Sequence, residues 1–203
     1  MKLYYSPGTC SLSPHIALLE AGLPHELVKV NLKAKKLDDD GGDFLKVNPK
    51  GQVPVLVFDD TQQLTEGPVI VQAIADKAPD KNLVPAAGTS ERYRLQEWLN
   101  FTTSELHKNF SPLFQPALSD ETKAFFRNRL LDRFKYLDEM LAGKDYLLDG
   151  FSVADCYLYV MLRWADRTKL DLESLKNLAA YKARLAARPK VQEALKREGL
   201  TPG

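Results

Sequence analysis

The spacing of apolar residues changes character near residue 80. Before it, short apolar runs alternate with helical ones. Lys2–Tyr5 reads as a strand, and Ser6-Pro7-Gly8 breaks it. Leu12, Ile16, Leu19 and Leu23 then recur at helical intervals, with Pro14 in the first turn, where a missing N–H is tolerated. Glu26–Leu32 alternates like a strand, and a lysine-rich and then acidic, glycine-rich stretch follows. Val55–Phe58 predicts a second apolar strand, Gln62–Leu64 a short return strand, and Gly67–Lys77 a helix. This reads as β-α-β-(short helix)-β-β-α, an α/β pattern. Beyond Ala78–Ser90, a stretch rich in Pro, Gly and polar residues, only helical spacing remains. Helices are predicted at about Glu91–Phe110, Asp120–Ala142, Val153–Lys169, Leu175–Ala187 and Val191–Glu198. The expected organisation is an α/β domain over residues 1–80, a linker over 81–88 and an all-α domain over 89–203.

Composition narrows the function. With 203 residues, a net charge of +1 and 44% hydrophobic residues, the chain is an ordinary globular one. It lacks the basic excess that phosphate backbones require, so nucleic acid is not an expected partner. No apolar run reaches membrane-spanning length, and Met1–Gly8 does not read as a signal peptide. Two distant cysteines, Cys10 and Cys156, do not make a disulfide framework, and a reducing cytoplasm is the expected compartment. Asp38-Asp39-Asp40-Gly41 lacks the acidic twelfth position of a calcium loop, so no metal is expected there.

Five places carry candidate chemistry. Cys10 falls just after a strand and a glycine break, at the start of the first helix. Unpaired N–H groups and the helix dipole favour an anion there, which makes a thiol reactive; a small residue filling a turn is the plain alternative. No resolving thiol stands three residues on, so a dithiol cycle within the chain is not expected. In Asn48–Leu56, Pro54 at the mouth of a strand suits a cis Val53–Pro54 bond. Such a turn would leave the Val53 backbone to pair with a peptide-like ligand, unless it is only a strand entry. Glu66 and Gly67 open a helix, where amides would take a carboxylate and Glu66 an ammonium; ordinary capping explains them as well. On Glu91–Phe110, Asn100, Ser104 and His107 form a polar stripe opposite Leu95, Trp98, Leu99, Thr102 and Leu106. Ser152 with Asp155 reads as a structural capping box, with Cys156 and Trp164 in the core.

Taken in order, Met1–Ser13, Val47–Pro54, Leu64–Gly67, Trp98–Asn100, Ser104–Lys108 and Phe151–Asp155 resemble the cytosolic glutathione S-transferases, specifically the bacterial beta class. The resemblance runs over essentially the whole chain. It implies a thioredoxin-like N-terminal domain, an all-α helical bundle domain after it, and a homodimer. It also implies glutathione as co-substrate for attack on hydrophobic electrophiles. Cys10 then matches the cysteine beside the glutathione sulfur, able to form a mixed disulfide with it. Lys35 matches a residue near the glycine carboxylate, Val53 the partner of the cysteinyl backbone, and Glu66 and Gly67 the holders of the γ-glutamyl end. Asn100, Ser104, Glu105 and His107 match residues that close over the ligand, with His107 as a further catalytic group and Glu105 expected to act across the dimer. Tyr4, Tyr5, Ser6 and Ser11 are alternative hydroxyls, but the motif points to Cys10. The electrophile pocket is expected at Tyr5, Phe110, Phe114 and Trp164.

Overall fold

A computed structural model describes residues 1–201. In chain order its strands and α-helices are β1 (Lys2–Tyr5), α1 (Leu12–Glu20), β2 (Glu26–Asn31), β3 (Lys36–Leu37), β4 (Val55–Val57), β5 (Gln63–Thr65), α2 (Gly67–Asp76), α3 (Ser90–Phe101), α4 (Lys108–Phe110), α5 (Asp120–Met140), α6 (Val153–Arg167), α7 (Lys176–Ala186) and α8 (Pro189–Arg197). By contacts the chain divides into two compact units. The first is Met1–Val84 with the C-terminal segment from Pro189; the second is Pro85–Arg188. The sequence groups the last helix with the all-α part. Its contacts group it with the first unit, because α8 packs on α1.

The first unit is built on a mixed sheet of order β3-β2-β1-β4-β5. β1 and β2 run parallel, with Leu3 opposite Leu27, and the other pairs are antiparallel. β3 is only two residues long, too short for an alternating pattern to reveal. Every residue of α1 from Leu12 to Leu19 is buried, because α1 also packs on α2 and α8. A separate cluster of Val30, Phe44, Val53 and Val55 holds the loop before β4. Phe44 is fully buried there, and truncating it to Ala would cost about 3–5 kcal/mol. That cluster seats Val53 in a hydrophobic socket and leaves its backbone oxygen for other work.

The second unit is helical. α6 is buried from Val153 to Leu162, so it forms the centre of the unit. It starts at the expected capping box of Ser152 and Asp155. Asp155 also accepts hydrogen bonds from Leu147 N–H at 3.0 Å and from the Tyr181 hydroxyl at 2.7 Å. The single helix expected over Glu91–Phe110 is not continuous α. α3 gives way to a π-helix over Thr102–His107, then to α4 and a 3-10 turn over Ser111–Phe114. The wider π turns rotate each side chain less about the axis, so α spacing does not carry through this segment.

Candidate active site

Cys10 lies in the turn between β1 and α1 and is partly exposed. The turn is braced from within. The Ser11 hydroxyl accepts from Ser6 N–H at 3.1 Å, and Thr9 Oγ1 donates to the Ser6 carbonyl at 2.8 Å. Ser11 is fully buried and committed to this bracing, which suits a structural role better than an activating hydroxyl. One local expectation changes. The Leu12 and Ser13 amides donate to the Thr9 and Cys10 carbonyls at 3.1 and 3.2 Å. These two helix-opening N–H groups are therefore taken, and the helix dipole is what remains to favour an anion.

The Cys10 thiol donates to the Val53 carbonyl at 3.4 Å, and the Val53–Pro54 peptide bond is cis. A residue 43 positions away is thus brought to the thiol. The approach to Val53 is held by Asn48, which is buried and whose side-chain amide donates to the Gln52 carbonyl at 2.7 Å.

Lys35 and Glu66 both have positive φ, at 56° and 70°. Side chains rarely adopt that region, which makes both positions specific backbone placements. The Lys35 ammonium donates to the Gly51 carbonyl at 2.8 Å, so it sits against the same loop that leads to Val53. Glu66 directly precedes α2 and Gly67 is its first residue. The Glu66 carboxylate is paired with the Lys50 ammonium at 2.6 Å, and Lys50 also reaches Thr65 Oγ1 at 2.9 Å. Lys50 lies within Val47–Pro54, yet nothing in the residue spacing marks it as the partner of Glu66. Tyr5 is buried, and burial, reinforced by nearby Glu198, raises its hydroxyl above the ordinary tyrosine range. It stays neutral and is a poor source of a tyrosinate.

In the second unit, Asn100 and Ser104 are exposed, whereas His107 is only partly so. His107 Nδ1 lies 2.5 Å from the Tyr157 hydroxyl, and its ring stands edge-on to Trp164 with centroids 4.9 Å apart. The π-helix accounts for the departure of His107 from a uniform polar stripe. Glu105 is gripped within its own unit by Arg133 at 2.7 Å and Arg129 at 3.5 Å. The hydrogen bond from Arg133 holds its carboxyl below the ordinary range. Phe110, Phe114 and Trp164 do form one aromatic cluster: centroids lie 5.9 Å apart for Phe110–Trp164 and 5.2 Å for Phe114–Trp164. Phe110 is fully buried in it, while Phe114 is 36% exposed. No group of three or more metal-binding side chains stands together among the described residues. No helix among them is long and apolar enough to cross a membrane.

Residues 8–77 match the glutathione S-transferase N-terminal domain family, and residues 104–198 match its C-terminal domain family. The glutathione S-transferase GstA of Escherichia coli O157:H7 is 46% identical over 201 residues, covering 98% of this chain and 100% of the relative. A sphingomonad glutathione S-transferase solved in complex with glutathione is 50% identical with a TM-score of 0.95, covering 99% of this chain and all of that one. A bacterial beta-class glutathione S-transferase from Sphingomonas chungbukensis is 48% identical with a TM-score of 0.96, at the same coverage. The sheet of the first unit and the helices of the second match the two family domains, and the chain belongs to the glutathione S-transferase family, with the bacterial beta class.

Proposed function

We propose that the chain binds glutathione on its first unit and activates the glutathione thiol for attack on a hydrophobic electrophile. The observation that carries this reading is Cys10 Sγ against the Val53 carbonyl, next to cis-Pro54. A peptide docking on the Val53 backbone as an added strand brings its own cysteinyl sulfur beside Cys10. Lys35 takes the glycine carboxylate, and Glu66 with Gly67 takes the γ-glutamyl group, whose ammonium replaces that of Lys50. Asn100, Ser104, Glu105 and His107 are assigned to glutathione on the family resemblance. Tyr5, Phe110, Phe114 and Trp164 are assigned to the electrophile on the same ground. The active unit is a homodimer in the cytoplasm.

A thiol near pKa 8.5 is mostly protonated at neutral pH, and the thiolate is the nucleophile. Lowering that value by about two units is worth roughly 2.7 kcal/mol. The dipole of α1 and nearby donors, including His107, serve that stabilisation. The thiolate then forms the new C–S bond as the leaving group departs with its electron pair.

Disulfide exchange through a Cys10 mixed disulfide is the second reading, favoured by the partial exposure of Cys10. Turnover of 1-chloro-2,4-dinitrobenzene with glutathione and glutathione-dependent reduction of a disulfide, both measured in wild type and Cys10→Ala, decide between them. Conjugation that survives in part in Cys10→Ala supports the first reading. Loss of disulfide exchange alone assigns Cys10 to the second, and glutathione binding without turnover of either kind leaves a non-catalytic carrier.

A further inference from the structure

Lys33, Lys35 and Lys36 stand together in the chain but not in the same surroundings. Lys33 and Lys36 are exposed, whereas Lys35 is partly buried. Its ammonium donates to the Gly51 carbonyl at 2.8 Å. Its stem passes over Gly51 where a side chain would stand. A Cβ there would lie 3.2 Å from Lys35 Cε, 3.3 Å from Lys35 Cδ and 3.2 Å from Leu45 Cδ2. Carbon atoms in ordinary contact stand about 3.5–4.0 Å apart, so that space is already filled. Gly51 also holds φ +62°, with its N–H on the Asn48 carbonyl at 2.8 Å.

Two demands for glycine are superposed here, and Gly41 separates them. It holds φ +71° with nothing within 4 Å of where a Cβ would be. Only the backbone asks for glycine there, and asparagine tolerates that conformation too. At Gly51 an asparagine would satisfy the backbone and still press its Cβ on Lys35. A close fit is what a binding site needs from a lysine. A free stem has many rotamers that a ligand must freeze, and a stem already laid down has fewer to lose. The Gly51 carbonyl takes one of the three ammonium donors and leaves two for a carboxylate.

We infer that Gly51 is a positioning residue for Lys35: its bare Cα seats the lysine stem, and its carbonyl fixes the ammonium where a ligand carboxylate is taken. The inference rests on the assignment of Lys35 to the glycine carboxylate of glutathione. It is tested with Gly51→Asn, with Gly41→Ala as the control for backbone strain. Acetylation of Lys33, Lys35 and Lys36 by acetic anhydride is timed by peptide mass spectrometry, and the glutathione Kd is measured by calorimetry. In the wild type Lys35 reacts about fivefold or more slowly than Lys33 and Lys36, the effect of one held hydrogen bond. In Gly51→Asn it comes within about twofold of them, and Kd rises about threefold or more. Gly41→Ala keeps both readings at their wild-type values. In the Lys35→Ala background Gly51→Asn shifts Kd by less than about twofold, since a residue that acts through Lys35 has nothing left to act on.

A wild-type Lys35 that reacts as fast as Lys33 and Lys36 overturns the inference without any variant having to fold. Wild-type labelling in Gly51→Asn overturns it, and so does a wild-type Kd there when Lys35→Ala weakens binding. An undiminished shift in the Lys35→Ala background overturns it too, because the effect then lies in the loop. If Gly51→Asn does not fold, Gly51→Ala, which adds the Cβ alone, takes its place. Lys35→Ala separates the two claims. If it leaves Kd unchanged, the reading of Lys35 fails, while the labelling still decides the seat.

Discussion

The Cys10 thiol rests 3.4 Å from the Val53 carbonyl, joining the turn before α1 to the cis-proline loop before β4. Only one of the two cysteines is placed to meet a ligand sulfur, since Cys156 is 1% exposed and donates to the Ser152 carbonyl within its own helix. Treatment with oxidised glutathione should add a single glutathione, mapped to Cys10 by peptide mass spectrometry. Cys10→Ser should add none. A modified Cys156 in the folded protein would show that this burial does not protect it.

Lys35 bears on binding rather than on chemistry. Its ammonium lies at the loop that supports Val53, away from any thiol contact in the structure. Lys35→Ala should raise the glutathione Kd about tenfold, the effect of one lost charge-assisted hydrogen bond, with kcat little changed. Calorimetry measures the first and saturation kinetics the second; an unchanged Kd removes Lys35 from the site.

Glu66 is exposed and paired with Lys50, so its removal should hardly touch folding. Glu66→Gln is expected to change stability by less than about 0.5 kcal/mol. It should weaken glutathione about tenfold or more, because an ammonium loses its counter-charge. Lys50→Ala should act in the opposite direction, since it removes the cation that glutathione displaces. Parallel weakening in both variants would show that Lys50 belongs to the ligand and not to its competitor.

Glu105 gives a pH signature. Arg133 holds its carboxyl below the ordinary value, so its stabilising contribution is complete above about pH 4.5. That contribution disappears as pH falls through the depressed value. Glu105→Gln should therefore be less stable than wild type at pH 7, by about 0.2–1 kcal/mol. The difference should close below pH ~4.5, as followed by denaturant unfolding. A gap that persists at low pH would mean the side chain acts through packing.

Tyr181 tests the helical unit. Its hydroxyl donates to the fully buried Asp155 at 2.7 Å, and burial beside that carboxyl pushes it well above the ordinary tyrosine value. Tyr181→Phe leaves Asp155 short of a donor and should cost about 1–2 kcal/mol. Thermal unfolding should show this as a fall of roughly 2–8 °C.

Local rules were enough to find most of this fold. Alternation exposed β2, short runs bounded by turn residues exposed β1 and β4, helical spacing exposed α1, α2 and α5 to α8, and Ser152 with Asp155 announced the cap of α6. Each depends on residues a few positions apart, so the order of residues contains the signal. The same rules passed over the two-residue β3 and ran straight through the π-helix over Thr102–His107. In the first case there is too little pattern to read; in the second, the wider π turns break the α period.

The site divides in the same way. Cys10, Val53 and Glu66 stand out in the sequence because each sits where a strand, a proline or a helix begins, and backbone groups are exposed at such places. Which side chains those residues meet is another matter. That Lys50 pairs with Glu66, that Tyr157 meets His107, and that Glu198 binds Gly8 and His15 are contacts of pairs 16, 50 and as many as 190 residues apart. No local periodicity encodes such pairs. The sequence by itself determined the elements and the chemistry they carry; only the packing of α8 on α1, and of the cis-proline loop on the Cys10 turn, decided which groups would share one site.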